Sequence, residues 1–194
     1  MNDFVVLDCE VYPNYFLVAF KNIEKGTVAT IEAKGEDQSL TKSQIKRLNS
    51  ILHHRTTFGF NSNKYDIPII LFALTGRTCK DIHKLSDRII DGNDPGWKTM
   101  KDFNLIKPSG VSHFDISEPS PGVRVSLKLY GGRLNSERLQ DLPIEPGTLL
   151  TEQEMKDTLL YCINDLNTTI DLYRKVEDRI KLRSKMSEQY SLDL

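Results

Sequence analysis

Three short runs place carboxylates where they could act together. Asp8-Cys9-Glu10 follows the apolar residues Phe4-Val5-Val6-Leu7. Alternate residues of a strand share a face, so both carboxylates project one way and Cys9 the other. Two anions this close repel each other unless a cation sits between them. The second run, Asn61-Ser62-Asn63-Lys64-Tyr65-Asp66, ends in a carboxylate where a polar loop passes into a helix. The third, Tyr161-Cys162-Ile163-Asn164-Asp165, sets a phenol and a carboxylate four residues apart, on one face of a helix. Each run also has an ordinary reading. Asp8 and Glu10 fit a solvated strand end. Asp66 fits a helix N-cap, with Pro68 in the first turn. Tyr161 and Asp165 fit the packed and solvated sides of an amphipathic helix. The chain holds one Asp-x-Glu and one Tyr-x-x-x-Asp.

The elements that must hold these side chains follow from periodicity and turn chemistry. Apolar runs at 4–7, 15–20 and 27–33 predict three consecutive strands, joined by turns at Pro13-Asn14 and Lys25-Gly26. Thr41 and Gln44 form a capping-box signature, and Ile45, Leu48, Ile51 and Leu52 recur at helical spacing after it. Residues 56–60 predict a fourth strand, and 66–74 a helix closed by Gly76. A helix is expected over 80–90, then mostly loop over 91–110, where glycine and proline are frequent. A fifth strand follows at 112–116, a turn at 119–122, and a short helix at 126–130 stopped by Gly131-Gly132. Residues 143–147 read as loop. From Thr151, with Glu154 completing a second capping box, the pattern is helical to about Met186. Strands early and helices late, with some alternation, predict an α/β fold: a mixed sheet with helices on both faces.

The chain's 194 residues suffice for one core, and 39% hydrophobic with 27% charged content is ordinary for a globular domain. No apolar run approaches the ~20 residues of a membrane span. The first residues carry no basic or long apolar leader, so a cytoplasmic location without membrane contact is expected. Cys9, Cys79 and Cys162 are too scattered for a zinc site or disulfide framework and read as reduced thiols. His53, His54, His83 and His113 lack metal-ligand spacing and read as structural. A net charge of −1 counts against a tight, non-specific nucleic-acid binder. Lys98, Lys101, Lys107, Arg124, Lys128, Arg133 and Arg138, interleaved with Trp97, Phe103 and Tyr130, offer either a strand-binding surface or a solvated face over core aromatics.

Taken in order, the three runs resemble the motifs of the DEDD exonuclease superfamily, which has a ribonuclease H-like fold. Tyr161 marks the tyrosine branch (DEDDy), because the position where the other branch carries histidine is Leu160 here. Leu7-Asp8-Cys9-Glu10, the stretch from Gly59 to Pro68, and Tyr161 to Asp165 look like the three exonuclease motifs of proofreading domains in family B DNA polymerases. The likeness extends to phage polymerase-like proteins through Ser126-Leu127-Lys128-Leu129-Tyr130-Gly131-Gly132-Arg133 and Leu139-Gln140-Asp141-Leu142-Pro143. Cys9 departs from the pattern, since that slot is more often aliphatic or threonine. No polymerase motif is present.

The resemblance implies a five-stranded ribonuclease H-like sheet and a 3′–5′ exonuclease that hydrolyses DNA with two divalent cations, Mg²⁺ or Mn²⁺. It implies that Asp8 bridges both cations, that Glu10 and Asp165 hold the one binding the attacking water, and that Asp66 holds the other. Tyr161 would orient the nucleophile. Asn61, Asn63, Lys128 and Arg133 would bind substrate, a single strand or frayed 3′ DNA end. The expected partner is a polymerase domain or replication protein. Asp115, at the end of the fifth strand, competes with Asp66 for the second motif but lacks the preceding asparagine. An RNA 3′-exonuclease and a non-catalytic nucleic-acid-binding module of the same fold remain open. Residues 1–186 are expected to form one domain, with 187–194 a tail leading towards a further domain of a longer protein.

Overall fold

The computed structural model describes residues 4–92, 95–117, 126–134 and 144–191, without the side chains of Arg133 and Leu134. Five strands carry the site: β1 (Phe4–Tyr12), β2 (Tyr15–Asn22), β3 (Val28–Lys34), β4 (Thr56–Gly59) and β5 (His113–Asp115). Six helices surround them: α1 (Lys42–His54), α2 (Asp66–Leu74), α3 (Cys79–Gly92), α4 (Gly96–Asp102), α5 (Leu127–Leu134) and α6 (Glu152–Tyr190). The strand order is β3-β2-β1-β4-β5. β1, β2 and β3 pair antiparallel, whereas β4 and β5 run parallel to β1. This mixed sheet, with helices on both faces, is a ribonuclease H-like arrangement.

The pleat of β1 divides the core. Val5, Leu7, Cys9 and Val11 pack with apolar residues of α1, α2 and α3. Val6 and Tyr12 belong to the opposite cluster, built on α5 and α6. Period-two alternation therefore sends Asp8 and Glu10 to the face covered by α6. Both expected capping boxes are present. The Gln44 amide donates to Thr41 Oγ1 at 3.3 Å, and the Thr41 amide donates to Gln44 Oε1 at 2.8 Å. Thr151 and Glu154 repeat the pattern at the start of α6. No helix of the described residues is long and apolar enough to cross a membrane.

Three expectations need correction. Part of the predicted loop at 91–110 is α4. Its glycine and proline lie at the boundary, with Pro95 as N-cap and Gly96 as first residue, and Thr99, Met100 and Phe103 pack inward behind them. The helix predicted to stop at Gly131-Gly132 runs through both glycines to Leu134. Glycine costs about 1 kcal/mol in a helix, but α5 packs on α6 with Gly131 buried, and tertiary contact overrides the local preference. α6 continues four residues past Met186, so 187–190 are its last turn rather than tail. The turn at 119–122, the stretch 139–143, Arg124 and Arg138 lie outside the described residues.

Candidate metal centre

β1 outruns β4, and that mismatch builds the site. The last β1–β4 pair is Val6 with Phe58, while β1 stays paired with β2 as far as Tyr12. Past Val6 the edge of β1 facing β4 is open, because the chain leaves β4 through 60–65 and turns into α2. Asp66, the first residue of α2, fills the gap: the Cys9 amide donates to its Oδ1 at 2.9 Å. The N-cap is Tyr65, without a side-chain cap bond, so Asp66 is not the capping residue of its helix.

α6 crosses the sheet and delivers the third run. Cys162 is fully buried, with Sγ 3.5 Å from Asp8 Oδ2. Tyr161 and Asp165 stand one turn apart on this helix, close enough for each to shift the other's titration. One oxygen from each of Asp8 and Glu10 lies within 4.8 Å of the other and of Cys162 Sγ. Glu10 is only 9% exposed.

Among the described residues the ligand atoms that lie close together are those of Asp8, Glu10 and Cys162, and Asp66 and Asp165 act on Asp8 and Glu10 through their charge. Burial raises the pKa of Asp8 well above the usual range, and Asp66, Glu10 and Asp165 raise it further. Glu10 is raised by burial, then by Asp165 and Asp66. Asp66 is pushed up to about 7 by burial and by Asp115, against the hydrogen bonds from Cys9. Burial raises Asp165 to about 6, with Tyr161 opposing it. None of the four forms an ion pair with a cationic side chain of the described residues. The proton-binding tendency of this cluster is the signature of a site short of positive charge.

Asp8, Glu10 and Cys162 offer ligand atoms close enough together to hold a metal ion; carboxylate oxygens in general suit hard divalent cations. Cys162 is the residue that motif reading misses as a member of the site. Its signal is present in the sequence: it lies three residues before Asp165, on nearly the same helical face. Burial and the neighbouring Asp8 push its thiol pKa well up. In the metal-free protein the protonated thiol therefore donates to Asp8, and its sulfur lies within ligand reach of Asp8 and Glu10, where a cation would displace the proton.

The loop before Asp66 is fastened by β5. Asp115, 5% exposed, accepts from the Asn61 amide at 2.9 Å, the Asn63 amide at 3.0 Å, and the Ser117 amide and hydroxyl at 2.9 and 2.7 Å. Two of these bonds come from the loop and two from its own neighbour Ser117, so Asp115 fastens the loop to the end of β5. His113 bridges Thr57 Oγ1 and Ser62 Oγ, both at 2.9 Å. Burial lowers its pKa to about 3, which keeps the bridge neutral. Asn61 adopts φ 55°, a left-handed conformation that asparagine tolerates better than most residues. A Cβ on Gly59 would lie 2.7 Å from Ser62 Cβ, so the tight return of the loop over β4 requires glycine there.

Of the predicted substrate residues, Asn61 and Asn63 are exposed on this loop. Lys128 is exposed on α5 and is not among the groups acting most strongly on the carboxylates. The Arg133 side chain lies outside the described residues. Comparisons of the chain with protein-family models, curated proteins and solved structures found no match.

Proposed function

We propose that the chain is a metal-dependent 3′–5′ exonuclease that hydrolyses DNA at the carboxylate centre. The observation that carries this reading is the meeting of Asp8 and Glu10 from β1, Asp66 from α2 and Asp165 from α6, with no cationic side chain among the described residues paired to them. Two divalent cations bound there would supply an activated water, neutralise the phosphate and stabilise the departing 3′ oxygen. Asp8 acts electrostatically with the other three carboxylates and is the side chain suited to serve both cations. Glu10 and Asp165 would hold the one on the water side, and Asp66 the other.

Tyr161 has the chemistry of a positioning group. Burial and the Asp165 charge push its phenol pKa above its ordinary value, so it stays protonated at neutral pH and donates a hydrogen bond rather than abstracting a proton. Asn61 and Asn63, exposed on the loop before Asp66, would bind the strand near the scissile phosphate. The 3′–5′ polarity, the preference for DNA, a polymerase or replication partner and a cytoplasmic location rest on the likeness of the three motifs to proofreading domains.

End-labelled single strands of DNA and of RNA with matched sequence test the reading, each incubated with Mn²⁺ or with EDTA. The expected result is Mn²⁺-dependent cleavage of DNA, with a descending ladder from the 5′ label and mononucleotide from the 3′ label. The reverse ladder would overturn the polarity. Preferential cleavage of RNA would overturn the substrate, and cleavage in EDTA would overturn the metal mechanism.

A further inference from the structure

The chain has one tryptophan, and the fold leaves it outside. Trp97 on α4 is 68% exposed. A single exposed apolar residue is common and proves little, so its surroundings decide its meaning. α4 turns Gly96, Thr99, Met100 and Phe103 inward, at helical spacing. Trp97, Lys98 and Lys101 are exposed, and Trp97 and Lys101 stand one turn apart on the same face. The helix has one acid, Asp102, which is bonded to Arg88 at 2.6 Å on the α3 side. Trp97 and Lys101 therefore set an exposed aromatic ring beside an exposed cation.

The start of this helix touches the loop that leads to Asp66. Gly96 sits so close to the loop that a Cβ there would lie 2.0 Å from the Asn63 carbonyl oxygen and 3.0 Å from Lys64 Cα. Trp97 is thus one residue from a contact with the segment that enters α2 at Asp66. Aromatic side chains beside cationic ones are the usual platform for single strands, since every base has a face to stack and every nucleotide a phosphate.

We propose that Trp97, with Lys101 one turn along the helix, is a stacking platform for the single DNA strand that leads into the carboxylate site. Strand binding at α4 also accounts for how a chain with net charge −1 holds a polyanion, through a local cation rather than overall charge. The assignment of the strand's destination rests on the exonuclease reading, whereas the contact with Trp97 does not.

As the only tryptophan, Trp97 reports its own environment. The parent protein is titrated in EDTA with (dT)12 while its intrinsic fluorescence is followed. Trp97→Ala and Trp97→Phe are titrated by anisotropy of an end-labelled oligonucleotide, after thermal melting confirms their fold. Saturable quenching is expected in the parent. Trp97→Ala should weaken binding roughly 5- to 150-fold, the range for loss of one stacked base. Trp97→Phe, which keeps a ring to stack on, should lose at most about threefold of the affinity, by the same argument. Lys101→Ala should make the dependence of log K on log salt shallower by about 0.7, the increment for one phosphate of a single strand that is no longer neutralised. Absence of quenching, or unchanged affinity in folded Trp97→Ala, would overturn the platform even if the protein hydrolyses DNA. Quenching without Mn²⁺-dependent hydrolysis would support the platform and overturn the catalytic reading. Tighter binding of (rU)12 than of (dT)12 would overturn the assignment to DNA.

Discussion

At Asp8 the charges of three other carboxylates fall on one partly buried side chain, and a single thiol donor opposes them. Removing that charge relieves repulsion in the metal-free protein while deleting the side chain that the proposed mechanism assigns to both cations. Asp8→Ala should therefore melt in EDTA no lower than the parent, yet lose hydrolysis. Melting curves and single-turnover cleavage at saturating Mn²⁺ read both halves, and near-normal cleavage by the folded variant would remove Asp8 from the mechanism. Tyr161 and Asp165 leave α6 one turn apart and act on each other electrostatically, so their variants are directly comparable. Tyr161→Phe deletes one positioning hydrogen bond. Positioning groups contribute ~10²–10⁴ in rate, and one neutral bond lies at or below the low end. Asp165→Asn deletes a charge and should slow cleavage more, and weaken Mn²⁺ binding in a calorimetric titration. A Tyr161→Phe variant that alone lost metal would make the tyrosine a ligand. The residue types at these positions are legible in the sequence because motif spacing maps directly onto strand alternation and helical turn. The place of Cys162 in the site is not, because only the packing of α6 across β1 brings its sulfur to Asp8.

Among the elements, the short strand β5 has an influence out of proportion to its three residues. Its last residue, Asp115, receives two amides of the loop that leads to Asp66, and its first, His113, ties Ser62 back to Thr57. Asp115→Asn replaces one acceptor oxygen with an amino group, leaving at least one buried donor unpaired. The expected loss is on the order of 1–3 kcal/mol per unsatisfied group. Denaturant unfolding should show it, and amide exchange should accelerate at Asn61 or Asn63 ahead of the sheet. Equal exchange in variant and parent would show that the loop holds itself. Sequence reading finds Asp115 but weighs it only as a rival to Asp66, because its four hydrogen bonds join segments up to 54 residues apart. The five strands, α1, α2 and the start of α6 are legible because period-two alternation, helical spacing and two capping boxes are local signals. α4 is hidden because Pro95 and Gly96 read as loop chemistry, whereas they begin a helix that Thr99 and Phe103 anchor. The run of α5 through Gly131 and Gly132 depends on packing against α6, a contact between segments that no local pattern encodes.

For the whole molecule, the cluster makes metal, pH and stability one linked equilibrium. The ordinary pKa values of these side chains are 3.8 for aspartate and 4.5 for glutamate, whereas Asp165 stands at about 6 and Asp66 at about 7, with Asp8 and Glu10 also raised. Below both the ordinary and the raised values, folded and unfolded chains are equally protonated and the cluster carries no penalty. As pH rises from ~4 to ~7, the unfolded chain releases protons that the folded chain retains, so stability falls through that window. On the proposed reading, a cation would bind the deprotonated carboxylates and reverse the preference, because it would bind the folded site and displace the protons. The metal-free protein should therefore show a melting midpoint that declines from pH 5 to pH 8. Mn²⁺ at 100 times its dissociation constant should add about 2.7 kcal/mol at pH 8, roughly 5–10 °C for a chain of this size, and much less at pH 5. Calorimetric scans across this range, with Mn²⁺ and with EDTA, measure both slopes. The double variant Asp8→Ala with Glu10→Ala should flatten the EDTA slope and lose the Mn²⁺ increment. Parallel slopes in metal and in EDTA would mean that the carboxylates titrate without a cation to answer them, and the centre would then be a polar interior rather than a metal site.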